Sequence, residues 1–331
     1  MLSDPSRWCV VTHHKENYSL LPAFMAYYRQ YFGFKRAMIF CGMTRGRTHD
    51  SLKQLLAEKL NMPIPVMDKT CFTPAGMELK VCELTDGDFV LWVASYPATE
   101  YTPGGKFHHL RSDVHAWGAS YLPPEIMRTM VVDSDEFLYV KDFKSLDMDQ
   151  LGFHFIDVIP SEIWPPKTLK FSLQGWYYTR QARPHFKYGG RIAESLARLT
   201  GRGLQHNQCK TYWFCKNRMA SFTAWTHGTA HSLSGCGGLN VFLDDLEKCH
   251  RILRETSCCY HLAMTTKNHL FNERMRLQPR LQTDYWSDQR DGVRGKETMD
   301  LNAAEKTFNR SIRKSIFPVI EDNFLLPYLS A

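Results

Sequence analysis

The sequence lacks several features that would assign it to particular classes of protein. Its ten cysteines include no CxxC pair, which argues against a zinc ribbon or finger. No apolar segment reaches the roughly 18 residues of a membrane span, and the start, MLSDPSRW, has no basic-then-apolar signal pattern. No run of lysine and arginine is long enough to form a basic arm. We therefore expect a reduced, soluble, cytoplasmic protein with no nucleic-acid partner.

The size and charge of the chain set broad limits. It has 331 residues, 44% of them hydrophobic, and a formal net charge of +7. This length supports a large core, in one big domain or two small ones. The positive charge is spread along the sequence and suits an anionic ligand such as a nucleotide.

The N-terminal part alternates strand-like and helix-like patterns. Short β-branched apolar runs predict strands, and apolar positions three and four residues apart predict helices. The predicted order is strand, helix, strand, helix, strand, at Trp8–Thr12, Ser19–Phe32, Ala37–Cys41, Ser51–Leu60 and Pro63–Met67. Gly33 would end the first helix, and Thr48 or Asp50 would cap the second. This rhythm favours an α/β fold with a mostly parallel sheet flanked by helices.

The later sequence is less regular. Phe89–Tyr96 fits a helix or a strand, whereas Gly104–Leu122 indicates a helix with a loop. Further strands are predicted at Phe153–Ile159, Tyr212–Cys215 and Ser221–Thr226, and further helices at Asp244–Arg254 and Thr266–Met275. We divide the chain into a main domain (1–276), a polar linker (277–302) and a helical C-terminal extension (303–331) whose helices break at Pro318.

The most informative segment is Met130–Val140, MVVDSDEFLYV, where an apolar run ends in three carboxylates, those of Asp133, Asp135 and Glu136. The flanking apolar residues predict a buried strand whose end reaches solvent at the acids. Burying such charges is costly unless something compensates them. A divalent cation would do so, and it would complete its coordination with substrate phosphates. A helix cap or a solvated turn is the alternative.

The same residues resemble a known family. Asp133-Ser134-Asp135-Glu136-Phe137-Leu138 resembles the D-x-D-E-F-[LIV] signature of glycosyltransferases with the GT-A fold, a Rossmann-like fold, and is most similar to the family-2-like and family-92-like groups. Lys15-Glu16-Asn17, after the first strand, resembles the K-N-E turn of these enzymes. Tyr260-His261-Leu262 resembles part of their late H-Y segment, with the order of the histidine and tyrosine reversed.

The resemblance implies a metal-dependent glycosyltransferase that moves a sugar from a nucleotide-sugar, by our guess a UDP-sugar, to a glycan or other hydroxyl acceptor. Asp135 would bind Mn²⁺ or Mg²⁺ directly, while Asp133 would contact the ribose, or the metal through water. His261 would be a late metal ligand or phosphate contact. The remaining residues expected near the nucleotide are Thr12, His14, Lys15 and Glu16 after the first strand, and Lys267 and Arg274 late in the chain.

Two parts of this site stay open. His227 and His231 lie in a glycine-rich segment, and either is a metal-ligand candidate or an ordinary turn histidine. An inverting transfer needs a base near the acceptor hydroxyl. The candidates are Asp244 and Asp245, which can equally be a helix N-terminus, and the earlier Asp157 and Glu162. Without a base, a retaining mechanism remains open.

Other functions compete with glycosyl transfer. A metal-dependent nucleotidyltransferase or phosphohydrolase would use the same carboxylates, but the segment 12–17 has no glycine-rich phosphate loop. A non-catalytic protein that binds an anionic polymer would leave the acids of Asp133–Glu136 unexplained. The basic and apolar tail around Ile312–Phe317 offers peripheral contact with a membrane, or simply packs against the catalytic domain.

Overall fold

A computed structural model describes residues 2, 4–14, 20–43, 48–64, 68–97, 107–147, 150–159, 161, 165–172, 209–221, 258–262 and 319–329. These residues form two mixed β-sheets with helices. The strands are β1 Trp8–His14, β2 Arg36–Met43, β3 Asp68–Phe72, β4 Glu78–Asp86, β5 Phe89–Pro97, β6 Arg128–Val131, β7 Glu136–Tyr139, β8 Gln150–Val158, β9 Lys170–Ser172, β10 Cys209–Trp213, β11 Cys258–His261 and β12 Val319–Glu321. The helices are α1 Leu21–Tyr27, α2 His49–Leu60, α3 Phe107–Tyr121 and α4 Leu326–Leu329.

The first sheet has the strand order β3-β4-β5-β2-β1-β6. Strands β5, β2, β1 and β6 are parallel to one another, whereas β3 and β4 form an antiparallel extension at one edge. The parallel strands are buried on both faces, which explains their continuous apolar runs. The predicted mixed α/β fold, with a mostly parallel central sheet flanked by helices, is confirmed at this level.

Local sequence signals account for the first two helices. After α1 the chain continues as a wider helical turn over Tyr28–Phe32 and stops at Gly33, which has the left-handed φ of 80°. Thr48 caps α2 by accepting the backbone N–H of Ser51 in its side chain. Both ends were predicted from the sequence and are confirmed.

The third predicted strand, Pro63–Met67, is wrong for Pro63 and Ile64, and residues 65–67 lie outside the described residues. Pro63 and Ile64 lie outside any strand, and β3 begins only at Asp68. The run PIPVM contains two prolines, which lack the N–H that a sheet ladder requires. The chain instead makes two antiparallel hairpins, the second turning at Gly87 with φ of 60°. Phe89–Tyr96, undecided from sequence, is strand β5.

The second sheet has the order β12-β9-β8-β11-β7, and β10 pairs with the first half of β8. Its edge strand β12 follows directly after Pro318, so the prediction of a helix is wrong for residues 319–321. Ile320 is buried there and pairs with Phe171 of β9. The short α4 then packs on α1, with the rings of Tyr27 and Tyr328 4.9 Å apart.

Other predictions meet the structure only in part. Helix α3 confirms the helix expected within Gly104–Leu122, and β8 confirms the strand expected at Phe153–Ile159. Strand β10 ends at Trp213, and Ser221 closes a 3-10 turn that starts at Lys216, so no strand begins at Ser221. The helices predicted within 244–275 and the linker 277–302 lie outside the described residues. No helix among the described residues is long and apolar enough to cross a membrane.

Candidate functional site

The acidic turn, which we define as residues 132–136, connects the two sheets. Strand β6 ends at Val131 in the first sheet, and β7 begins at Glu136 in the second. The N–H of Val132 donates to the carbonyl of Val11 (2.9 Å), and the N–H of Glu136 donates to the carbonyl of Asp133 (3.0 Å). The predicted strand that ends at the carboxylates is therefore present, and the acids stand where the chain leaves the parallel sheet.

Glu136 has a different environment from the two aspartates. It is only 1% exposed, and its Oε2 accepts the Tyr212 hydroxyl at 2.8 Å and the backbone N–H of Asp133 at 3.0 Å. Burial, followed by the nearby Cys259 and Glu136, raises the pKa of Tyr212 well above 10.0, so the phenol keeps its proton for this bond. The cost of burying Glu136 is thus met by hydrogen bonds.

Three tyrosines of the first helical segment hold the strand that follows the turn. The hydroxyls of three tyrosines donate to backbone carbonyls at every second residue: Tyr28 to Glu136 (3.0 Å), Tyr27 to Leu138 (2.6 Å) and Tyr31 to Val140 (2.9 Å). The alternate carbonyls of a strand point to the same side, which is why residues 136, 138 and 140 face one helix. This row fixes the position of β7 against the first sheet.

Asp135 and His261 are brought together by strand pairing. Strand β11 pairs antiparallel with β7, so that His261 lies opposite Glu136, and the N–H of Leu262 donates to the carbonyl of Asp135 at 2.7 Å. The Nε2 of His261 lies 3.6 Å from Oδ2 of Asp135. Their side chains are 28% and 30% exposed, respectively, so both are accessible to a ligand.

A carboxylate oxygen and an imidazole nitrogen at this distance can share one divalent cation such as Mn²⁺. Asp133 lies in the same turn and is partly buried. Among the described residues, one group of three potential metal ligands comes close together; it consists of His49, Asp68 and Cys82 and does not include Asp133. Asp157, a candidate base, is the residue of β8 that lies in register with His261.

The carboxyl ends of the four parallel strands meet at one edge of the first sheet. There, Thr12 is fully buried and donates its hydroxyl to the carbonyl of His13 (3.4 Å), and His14 ends β1. The rings of His13 and His115 are hydrogen-bonded through their Nε2 atoms, and His115, on α3, is fully buried. Sequence analysis did not single out His115, because a lone histidine in a helix carries no signal of its partner.

Nine predicted site residues lie outside the described residues: Lys15, Glu16, Glu162, His227, His231, Asp244, Asp245, Lys267 and Arg274. Their roles stay predictions. Two groups were missed from the sequence, namely the bond between Tyr212 and Glu136 and a cluster of His49, Asp68 and Cys82 near β4. No spacing pattern indicates either, since each joins residues from separate elements.

Comparison with known proteins adds no relative to this picture. No protein-family model matches the chain, and no curated protein matches its sequence.

Proposed function

We propose that the protein is a metal-dependent glycosyltransferase that uses a nucleotide-sugar donor. The observation that carries the proposal is the pairing of Asp135 with His261 at the junction of the two sheets, directly after a parallel strand. This is where the resemblance to GT-A enzymes expects the first carboxylate ligand and the late histidine. A divalent cation held there would neutralise the diphosphate of the donor and stabilise the charge of the leaving group.

The surrounding residues support a rigid site for this purpose. Oε2 of Glu136 accepts hydrogen bonds from the Tyr212 hydroxyl and from the backbone N–H of Asp133. Leu262 ties the chain after β11 to the carbonyl of Asp135. Because the hydrogen bonds of these buried groups fix both ends of the turn, the Asp135 carboxylate needs little further ordering when it binds a ligand.

The edge of the parallel sheet at the carboxyl ends of its strands is where we expect the nucleotide. In open α/β sheets, ligands bind outside the carboxyl ends of the strands. The carboxyl ends of β1 and β6 are neighbours, since Val11 pairs with Val131. A nucleotide placed at the end of β1 would therefore reach the acidic turn with its diphosphate. On the acceptor side, Asp157 is the described candidate base, adjacent in register to His261.

The first test is nucleotide binding. The thermal unfolding of the full chain would be measured with UDP, GDP, CDP and ADP, each with and without Mn²⁺, for the wild type and for Asp135→Ala. A ligand at about 100 times its Kd stabilises the folded state by roughly 2.7 kcal/mol. We expect one nucleotide to raise the unfolding temperature in the presence of Mn²⁺ only, and Asp135→Ala to abolish the effect.

The matched control is Asp147→Ala, which removes an exposed aspartate 12 positions after Asp135 (147 − 135 = 12). It should respond to the nucleotide as the wild type does. An activity assay then measures the nucleoside diphosphate that is released from the nucleotide-sugar with the same base. If no diphosphate changes the unfolding temperature, or if Asp135→Ala responds as fully as the wild type, the proposal is wrong.

A further inference from the structure

A second group of potential ligands lies away from the acidic turn, against strand β4. His49 begins α2, Asp68 begins β3, and Cys82 lies in the middle of β4, directly opposite Asp68 in the hairpin. One ligand atom from each residue lies within 4.8 Å of the other two. Among the described residues this is the three-residue group of histidine, cysteine and acidic side chains that comes together in this way.

The hydrogen bonds around His49 leave one ring nitrogen without a partner. Its Nδ1 lies 2.6 Å from Oγ of Ser95, and that hydroxyl in turn donates to the carbonyl of Lys80 at 3.4 Å. A hydroxyl has one proton, so in the tautomer that leaves Ser95 donating to Lys80, the Nδ1–H of His49 donates to Ser95 and Nε2 carries the lone pair. The Nε2 is buried and makes no hydrogen bond, although Oδ1 of Asp68 is 3.3 Å away.

Two acceptors that face each other at this distance in a site of low exposure are unfavourable unless a positive group lies between them. The side chain of His49 is 10% exposed. The other oxygen of Asp68 already accepts Nζ of Lys53 at 2.8 Å, which leaves Oδ1 directed at the imidazole.

We propose that His49 Nε2, Asp68 Oδ1 and Cys82 Sγ form a zinc site, distinct from the proposed nucleotide site. In tetrahedral zinc, bonds of about 2.0 Å to nitrogen and oxygen place those two atoms about 3.3 Å apart, the separation found here. A sulfur ligand at about 2.3 Å from the metal requires Sγ to approach the other two ligand atoms by about 1.3 Å at most. The fourth position is left for water or a further ligand.

The surroundings of the three residues match those of a metal site. Ser95 orients the imidazole through its other nitrogen, and Lys53 orients the carboxylate through its other oxygen, as outer partners of metal ligands commonly do. A metal bound by Cys82 would displace the proton of its thiol. Soft thiolate with imidazole favours Zn²⁺ over Mg²⁺ or Ca²⁺.

The site would fasten the two antiparallel strands to the helix. Strands β3 and β4 are the outer strands of the first sheet, and β3 is largely exposed. A metal bound by one residue each from α2, β3 and β4 would cross-link these three elements. Zinc binding should therefore raise the unfolding temperature of the full chain.

The test uses Co²⁺ as a spectroscopic probe and Zn²⁺ as its competitor, added to the metal-free full-length protein. The wild type should bind Co²⁺ with a thiolate-to-cobalt charge-transfer absorption, which an equivalent of Zn²⁺ removes. Cys82→Ala should lose that absorption and one equivalent of bound metal. Ser95→Ala, which removes only the orienting partner, should weaken binding by about 10–100-fold. If Cys82→Ala does not fold, His49→Gln takes its place, because it also removes one of the three proposed ligands.

Cys71→Ala is the matched control, because Cys71 lies on the same hairpin but packs against a different hydrophobic cluster from the one that contains Cys82. It should keep the absorption, the stoichiometry and the thermal shift. Asp135→Ala should also keep them, which separates this site from the proposed Mn²⁺ site. Equal Co²⁺ stoichiometry and spectra in the wild type, Cys82→Ala and His49→Gln would show that the ions bind elsewhere and would overturn the proposal.

Discussion

Glu136 shows how a single buried carboxylate can organise a site without being a ligand. Its neighbours Asp133 and Asp135 remain partly exposed, whereas Glu136 is enclosed and accepts two hydrogen bonds at the same oxygen, Oε2. A buried charge that loses one of its donors is left with an unmet desolvation cost. The hydroxyl of Tyr212 is therefore as important to the turn as the acid itself.

Replacing Tyr212 with phenylalanine removes that hydroxyl with little change in shape. We expect the free energy of unfolding to fall by about 1–3 kcal/mol, because Glu136 loses a buried hydrogen-bond donor. Urea unfolding measures the change. The control is Tyr328→Phe, on α4, for which we expect a loss within about 0.5 kcal/mol. Equal stability of the wild type and Tyr212→Phe would contradict the role assigned to this bond.

Helix α3 packs on the first sheet through its smallest residue. A Cβ atom built on Gly118 would stand 2.7 Å from Cζ of Phe40 and 2.7 Å from Cε of Met219. The methionine end can move, but the phenylalanine ring is buried in the sheet and cannot easily give way. The glycine is therefore required by close approach of the helix, and its poor helix propensity is tolerated for that reason.

Gly118→Ala should destabilise the protein, although the same change in an exposed helix is stabilising by about 1 kcal/mol. We expect a loss of about 1–3 kcal/mol from overpacking. Ser120→Ala, at an exposed position two residues further along α3, should change stability by less than about 0.5 kcal/mol. Chemical denaturation of the three proteins tests this, and a stabilised Gly118→Ala would show that α3 can shift away from the sheet.

The whole molecule buries many groups that ionise at alkaline pH. Burial raises the pKa of Cys9 and of Cys41 far above their ordinary value of 9.0, and raises those of Tyr27 and Tyr28 well above 10.0. The unfolded chain releases these protons at lower pH than the folded chain does. The stabilisation that these groups contribute is therefore fully present below about pH 9 and is lost as the pH rises further.

We expect the free energy of unfolding to be flat near neutrality with respect to these groups and to decline above about pH 9. Each buried thiol adds a slope of about 1.4 kcal/mol per pH unit once the unfolded thiol is ionised. Urea titrations between pH 7 and pH 10 measure it, and Cys9→Ala should remove one such contribution. A slope that is unchanged in Cys9→Ala would contradict the assignment.

Local signals in the sequence determined the first elements and one part of the site. The cap at Thr48, the stop at Gly33 and the strand β6 just before Asp133 follow from a few adjacent residues, because capping, left-handed glycine and apolar runs are local signals. The acids Asp133 and Asp135 stood out for the same reason, since a short apolar run leads straight into them.

Only the tertiary structure decided which distant residues meet. Tyr212 reaches Glu136 across 76 positions, and His261 reaches Asp135 only because β11 pairs with β7 in one register. The end of the chain likewise joins the second sheet through β12, where Asp322 accepts the hydroxyl of Tyr260 at 2.6 Å. Strand register and partner depend on packing of the whole core, so no local pattern carries them.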